Sequence, residues 1–256
     1  MVHKSINPSF DTIELPIENL TAIQTTRLHP IENKSELVGF NQFNLGTHVG
    51  DVCSNVLENR QTLERFLPEN SSIQWLNQIH GNEVTIVERV SQSPITADAA
   101  ITRRKNVAIA VMTADCLPII LASKYGNEIA VIHGGWKPLA KGIISSTLTE
   151  MNSPADELIA WLGPCIGPTN FEVGSEVFKT FCSYDAALAE AFTHSNEFPQ
   201  EKYYGSLHKL ASKLLSNEGV LSQLSLPNCT VAMNQRYYSY RKEKTTGRMA
   251  TLACLQ

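Results

Sequence analysis

The chain has no uninterrupted apolar run of about eighteen residues, so nothing in it reads as a membrane-spanning helix. It also lacks an excess of positive charge. Its 21 Lys and Arg stand against 25 Asp and Glu, a formal net charge of -4 at pH 7, which leaves no electrostatic footprint for nucleic acid. The Cys-x-x-Cys spacing of structural zinc sites and thiol redox motifs is missing. So are the Walker and dinucleotide fingerprints, because none of the glycine-rich turns has their spacing, and nucleoside triphosphate chemistry is disfavoured. No internal repeat, low-complexity tract or Pro/Gly/Ser-rich linker marks a place to cut the chain. The opening residues, Met1-Val-His-Lys-Ser-Ile-Asn-Pro, show neither the apolar stretch nor the cleavage pattern of an export signal. That predicts a cytoplasmic protein with no membrane partner.

What is present suits an ordinary soluble globule: 256 residues, 43% hydrophobic and 18% charged, long enough to bury a sizeable core. Residues 1–256 read as a single catalytic domain, with roughly the first 20 as an N-terminal extension. Six cysteines at irregular intervals predict small apolar core residues in a reducing compartment rather than disulfides.

Short β-branched runs between turn residues predict strands at 73–79, 84–90, 107–112, 118–122, 129–132 and 158–162. Helices are expected at 54–67, closed by Pro68, at 176–182, and at 206–217, where Gly219 follows as a stop signal. Another follows Trp136, where Leu139, Ile143, Thr147 and Met151 recur at helical spacing. Residues 28–42 read as a long surface loop. The aromatic run from Tyr237 reads as a hairpin, with a solvated basic turn at 242–244. The middle strands carry apolar residues on both faces, so the sheet must be covered on both sides. Strands and helices do not alternate strictly, which points to an α+β layered sandwich.

Three side chains share one local context. His80, Cys116 and His133 each follow a short apolar run and precede a turn, so three strand ends could converge. Two imidazoles and a thiolate suit zinc with an open fourth position. Alternatively, Cys116 is a nucleophile activated by His133 alone, the dyad of a cysteine hydrolase, and His80 is then dispensable. Asp115 could orient a histidine or move a proton, or simply form the turn. Arg60 falls within the apolar stripe of Val56, Leu63 and Leu67, so it needs either a carboxylate partner or a substrate phosphate. His48 sits in the glycine-rich turn 44–51. Arg241 and Arg248 lie beside the tyrosines 237, 238 and 240, a combination that would suit a planar heterocycle with an anionic group.

Taken in order, Asn44-Leu-Gly-Thr-His-Val-Gly-Asp with Asn59-Arg60, Gln78-Ile-His-Gly, Ala97-Asp-Ala, Met112-Thr-Ala-Asp-Cys-Leu-Pro, Ile132-His-Gly-Gly-Trp, Leu162-Gly-Pro-Cys-Ile-Gly-Pro, Phe171-Glu-Val-Gly and Tyr238-Ser-Tyr-Arg with Thr246-Gly-Arg-Met resemble one bacterial family. It is the polyphenol oxidase or laccase-domain family, regarded as zinc-dependent purine nucleoside phosphorylases. The resemblance implies a single-domain αββα sandwich with a mixed central sheet. It also implies zinc on His80, Cys116 and His133. The implied activity is phosphorolysis of adenosine, inosine, guanosine and methylthioadenosine, with deamination of adenosine. Expected partners are a purine nucleoside and phosphate, and the expected state is a monomer or weak homo-oligomer.

The older family name suggests a copper-dependent polyphenol oxidase instead, but seven histidines in all are few for a multicopper cluster. Two segments depart from the family pattern. The turn expected after Thr26-Arg27 is replaced by a longer stretch at 28–40. The segment His133-Gly-Gly-Trp-Lys-Pro carries Lys137 where the family has arginine, which keeps the charge but not the fork.

Overall fold

Along the strand Val107–Thr113 the side chains alternate between two separate cores. Ala108, Ala110 and Met112 pack with Phe43, Leu45, Leu63 and Trp75, whereas Ile109 and Val111 face Ile120, Val131 and Trp161. A strand buried on both faces belongs to an inner layer. This computed structural model describes residues 9–31, 40, 42–195 and 202–256.

Two mixed sheets form the inner layers. The first runs in the order Phe10–Thr12, Leu20–Thr25, Met249–Leu255, Val107–Thr113, Ser72–Gln74. The second runs Ser222–Ser225, Leu158–Leu162, Leu117–Ser123, Ile129–Gly134, Ala99–Thr102, Val84–Ile86. The first has a parallel pairing at one edge and the second at both edges, with antiparallel pairings elsewhere. Between them lie Ile120, Ala122, Ile129 and Val131 of the second sheet and Ile109, Val111, Ala253 and Leu255 of the first. The helix Cys53–Glu64 covers the outside of the first sheet. The outside of the second is covered by helices Trp136–Ala140, Ile143–Glu150, Ser175–Tyr184 and Leu207–Asn217. The layering is αββα.

The last helix shows how the sequence sets an outer layer. Leu207, Leu210, Ala211, Leu214 and Leu215 form the buried stripe, the Ser206 side chain caps the N-terminus by accepting from Lys209 N–H, and Gly219 follows at φ +92°.

Several expectations need correction. The helix after Trp136 is two helices, because Gly142 takes φ +81° between them, although Leu139, Ile143, Thr147 and Met151 are all buried as the spacing requires. The helix expected at 54–67 stops at Glu64. The strand expected at 73–79 breaks at Trp75 into Ser72–Gln74 and Leu76–Asn77, and the latter pairs with Ile95–Thr96. The aromatic run forms no hairpin. Tyr237 and Tyr238 are fully buried and their hydroxyls donate to Asp11 and to the Phe40 carbonyl, while Tyr240–Glu243 is a short helix capped by Ser239. With buried partners for both hydroxyls, burial costs less than exposure of the rings. Residues 10–12, assigned by the sequence to an extension, add an edge strand, and Asp11 pairs with Arg236. Of the loop expected at 28–42, residues 32–39 and 41 lie outside the described residues. All six cysteines are free thiols; Cys165 and Cys254 are buried as expected, but Cys53 is exposed.

One buried ion makes the fold sensitive to acid. The Glu128 carboxylate accepts from the N–H groups of Asn152 and Ser153 and pairs with Arg103. Burial pushes its pKa up, but these donors outweigh burial and hold it below the ordinary 4.5. A group depressed in the folded state stabilises above its unfolded-state value, and that stabilisation fades as pH falls through the folded value. Glu128→Gln is therefore expected to lose about 1–3 kcal/mol at neutral pH. Urea unfolding should show its deficit shrinking below pH 4.5. A deficit that stays constant down to strongly acidic pH would count against this role.

Candidate active site

The two inner sheets end side by side at one edge of the sandwich, and the three candidate ligands meet there. His133 is the penultimate residue of Ile129–Gly134, and Cys116 immediately precedes Leu117–Ser123, which pairs with it. His80 comes from the turn after Leu76–Asn77. Their ligand atoms lie within 4.8 Å of one another, and the His80 and His133 rings meet edge to face at 4.6 Å. His133 is buried, Cys116 half-buried and His80 exposed, so the group opens to solvent on the His80 side.

Asp98, fully buried, organises the set. Its carboxylate accepts from the N–H groups of Ile79, His80 and Gly81 at 3.2, 3.0 and 2.6 Å, and lies 2.8 Å from His133 Nδ1. Three consecutive N–H groups wrapped on one carboxylate form an anion nest, which carries His80 at φ +56°, a conformation rare for a side chain of that size. The same carboxylate fixes the His133 ring with Nε2 toward the ligand group, an arrangement that orients metal-bound histidines. Burial pushes the Asp98 carboxyl up, but the His133 ring and the Gly81 and Ile79 amides hold it below its usual range. Gln78 ties the turn that carries His80 to the end of Val107–Thr113: its amide exchanges hydrogen bonds with the Met112 backbone at 2.8 and 2.7 Å.

Burial pushes the Cys116 thiol up, yet the adjoining His133 and His80 imidazoles more than offset it and lower its pKa. Conversely, burial pushes His133 down, while the Cys116 sulfur and Asp98 carboxylate raise it. The sulfur is thus held toward thiolate, the form that binds metal or attacks an electrophile. A Cβ on Gly135 would lie 3.0 Å from Cys116 Sγ, so a side chain there would crowd the sulfur, and glycine lets the backbone pass close to it.

Two cavities flank the ligand group, and His80, Ala114, Cys116 and Tyr240 line both. The smaller, about 360 Å³, also has His48, Gln78, Thr113, His133 and Arg248 on its wall. His48 is held below the usual imidazole range by its partial burial and by Arg248 and Arg60. Arg60 does not line the cavity itself. Its guanidinium stacks 3.9 Å from the Trp75 ring, donates to the Leu45 carbonyl at 2.9 Å and reaches the sulfur of Met112, which does line it. Burial lowers its pKa to about 10, and among the described residues it has no carboxylate partner. The ion pair expected as one reading of Arg60 is therefore not formed.

The larger cavity, about 540 Å³, is walled by Trp136, Phe171, Ile79, Ile166, Leu207 and Arg241, with lysines at its mouth. Arg241 is anchored by donating to the carbonyls of Asn170 and Glu172. Asp115 sits at φ +86° with both oxygens engaged, one by the Thr230 hydroxyl and one by Arg241 N–H, which ties Cys116 to the Tyr240–Glu243 helix. All seven sequence-selected positions, His80, Cys116, His133, Asp115, Arg60, His48 and Arg241, thus lie in or beside one site. Nothing in the sequence distinguishes Asp98 and Gln78 from other residues of their motifs, whereas Arg248, expected beside the tyrosines as part of an anion site, lines the smaller cavity with Tyr240.

Against known proteins, the family model described as multi-copper polyphenol oxidoreductase laccase matches residues 22–256. The chain belongs to this family. It is 35% identical to purine nucleoside phosphorylase YfiH of Escherichia coli (strain K12) over 238 residues, covering 93% of this chain and 95% of that protein. Identity to purine nucleoside phosphorylase PA4543 of Pseudomonas aeruginosa is 39% over 217 residues, 85% and 87% of the two chains. The crystal structure of Neisseria meningitidis protein NMB0706 superposes with a TM-score of 0.89 at 35% identity, covering 97% of this chain and 99% of that one.

The name of this laccase-domain family invokes several copper ions, but the donor set of this chain is small. One group of metal-capable side chains occurs among the described residues, and its two imidazoles and one thiolate fit a single ion. A multicopper cluster demands many more imidazoles. Three such donors with an exposed fourth side suit zinc in a catalytic setting.

Proposed function

We propose that the protein is a zinc-dependent purine nucleoside phosphorylase acting on adenosine, inosine, guanosine and methylthioadenosine, with adenosine deamination at the same centre. The single observation that carries the reading is the pair of unlike cavities meeting at His80, Cys116 and His133. The smaller sets Arg248 and His48 beside the ligand group, and the larger presents the rings of Trp136, Phe171 and Tyr240 with lysines and Arg241 around them. Phosphorolysis needs that combination, because phosphate must be held beside the anomeric carbon while the base is stacked and released.

Zinc held by His80, Cys116 and His133 would supply a Lewis acid at the junction. The chain's own residues do the rest. Arg248 and His48 face an anion in the smaller cavity, and Arg60 adds its uncompensated charge from behind Met112. Trp136, Phe171 and Tyr240 offer rings against which a purine can pack. The attacking phosphate oxygen bonds to the anomeric carbon as the glycosidic bond breaks, and the cationic groups keep that oxygen in place as positive charge develops on the sugar. Asp98 keeps His133 oriented throughout, and Asp115 holds the Cys116 turn against the Tyr240 helix.

The test is elemental analysis of the purified protein together with chromatography of adenosine and inosine reactions with and without phosphate. About one zinc per chain is expected, with free base released only when phosphate is present, and with inosine or hypoxanthine reporting deamination of adenosine. Arg248→Met, at a residue that lines the smaller cavity, should raise KM for phosphate by about 10-fold or more and leave KM for nucleoside unchanged. Copper with oxidation of phenols, or base release independent of phosphate, would sink the reading.

A further inference from the structure

The mouth of the larger cavity carries charge that a neutral nucleoside does not use. Lys137, Lys141 and Lys244 line it together with Arg241, and the single acidic residue on its wall, Asp115, has both oxygens occupied. Among the described residues none of the three ammonium groups has a carboxylate partner. Lys141 donates to the His80 carbonyl at 3.0 Å, while the Lys137 and Lys244 nitrogens lie 5.7 and 5.6 Å from the centres of the Trp136 and Tyr240 rings. Two acidic groups on adjoining segments are committed elsewhere: Glu172 pairs with Lys202 and Glu243 with Arg27.

A concentration of positive charge on a chain of net charge -4 runs against the overall sign. Like charges at one rim repel, and the arrangement becomes favourable when an anion sits among them. The rings over which Lys137 and Lys244 extend are the ones available for stacking a purine, so the anion would be joined to the stacked ligand and lie at its outer end. The cationic cavity on the other side of the ligand group is already suited to inorganic phosphate, which leaves the mouth for a second anionic group. A cavity of about 540 Å³ has room for such a ligand.

We propose that the larger cavity takes purine nucleoside 5′-monophosphates as substrates, with the 5′-phosphate held between Lys137 and Lys244. This rests on the phosphorolysis reading above. In the reaction an oxygen of hydrogen phosphate forms the new bond to C1′, and the C1′–N9 bond breaks. Its electron pair leaves with the base, and the proton of the hydrogen phosphate ends on that base. The products are free purine and ribose 1,5-bisphosphate.

The test measures binding of adenosine 5′-monophosphate, adenosine and inorganic phosphate to the zinc-loaded protein by calorimetry at low and high salt, alongside turnover of both nucleoside forms. The monophosphate is expected to bind about 10-fold tighter than adenosine at low salt, with the gap narrowing as salt rises. The double variant Lys137→Gln, Lys244→Gln should abolish the gap and leave adenosine binding and cleavage intact. Equal affinities, or a gap that survives the double variant, would overturn the proposal. So would loss of inorganic phosphate binding in the variant with the gap unchanged, which assigns the lysines to the co-substrate. A monophosphate bound tightly but left uncleaved while adenosine is cleaved would overturn it too. If neither is cleaved, the phosphorolysis reading fails and the substrate assignment with it, while the affinity ratio still reports whether the lysines grip a 5′-phosphate.

Discussion

Replacing Asp98 with alanine is expected to weaken metal binding by about 10–100-fold and to lower the free energy of unfolding by about 3–5 kcal/mol. Both effects come from one carboxylate with four partners. Without it, the Ile79, His80 and Gly81 amides lose their acceptor, and the left-handed backbone at His80 loses what holds it. His133 also loses the group that fixes its ring. Asp98→Asn separates the two roles. Its single carbonyl oxygen can still serve part of the nest, but its NH2 cannot accept, so at least one amide stays unpaired. Stability should then recover in part while metal affinity stays low. Competition with a chromophoric chelator measures affinity, and urea unfolding of the metal-free protein measures stability. An alanine variant with both quantities unchanged would remove Asp98 from the account.

The contrast between Asp98 and the three ligands shows what sequence can and cannot convey. His80, Cys116 and His133 are legible because each combines a metal-binding side chain with a strand end, and local context survives in one dimension. Asp98 is an acidic residue ahead of the short strand Ala99–Thr102, where aspartate is an ordinary turn former. Its meaning arises only when that strand pairs with Ile129–Gly134 and the 79–81 turn folds over it. The layering is legible for a similar reason. Val107–Thr113 and Leu117–Ser123 are apolar on both faces, which forces a covered sheet. That there are two sheets is harder to see, because the strand completing the first, Met249–Leu255, lies at the far end of the chain from its partner Leu20–Thr25.

Arg60 is a partial case. The helical period correctly places it among buried side chains, and physical chemistry correctly demands compensation. The compensation found is a stacked Trp75 ring and the Leu45 carbonyl, neither of which carries a negative charge. A desolvated guanidinium satisfied only by neutral groups keeps its attraction for an anion, and Arg248 and His48 stand nearby, neither of them in a salt bridge among the described residues. Burial lowers the pKa of both arginines, which is the cost of keeping the charge there. Phosphate is the ligand that would offset it.

His80→Ala is the variant on which the chemistry turns. In a three-ligand metal centre it should lose metal and phosphorolysis together, by more than the roughly 10–100-fold that an orienting partner contributes, and so match Cys116→Ala and His133→Ala. In a Cys116/His133 nucleophilic dyad His80 is a bystander, and its loss should cost little. The geometry favours the first outcome: His80 sits edge to face with His133, and its unusual backbone is braced by Asp98. A strained histidine braced by a carboxylate beside a thiolate is more than a dyad requires. Metal content by elemental analysis and kcat/KM for inosine, measured on the same preparations of all three variants, decide the matter. Three equivalent losses support zinc chemistry. A His80→Ala protein that keeps activity without metal, while Cys116→Ala is dead, would make the protein a cysteine enzyme, and a covalent adduct on Cys116 would then be the species to trap.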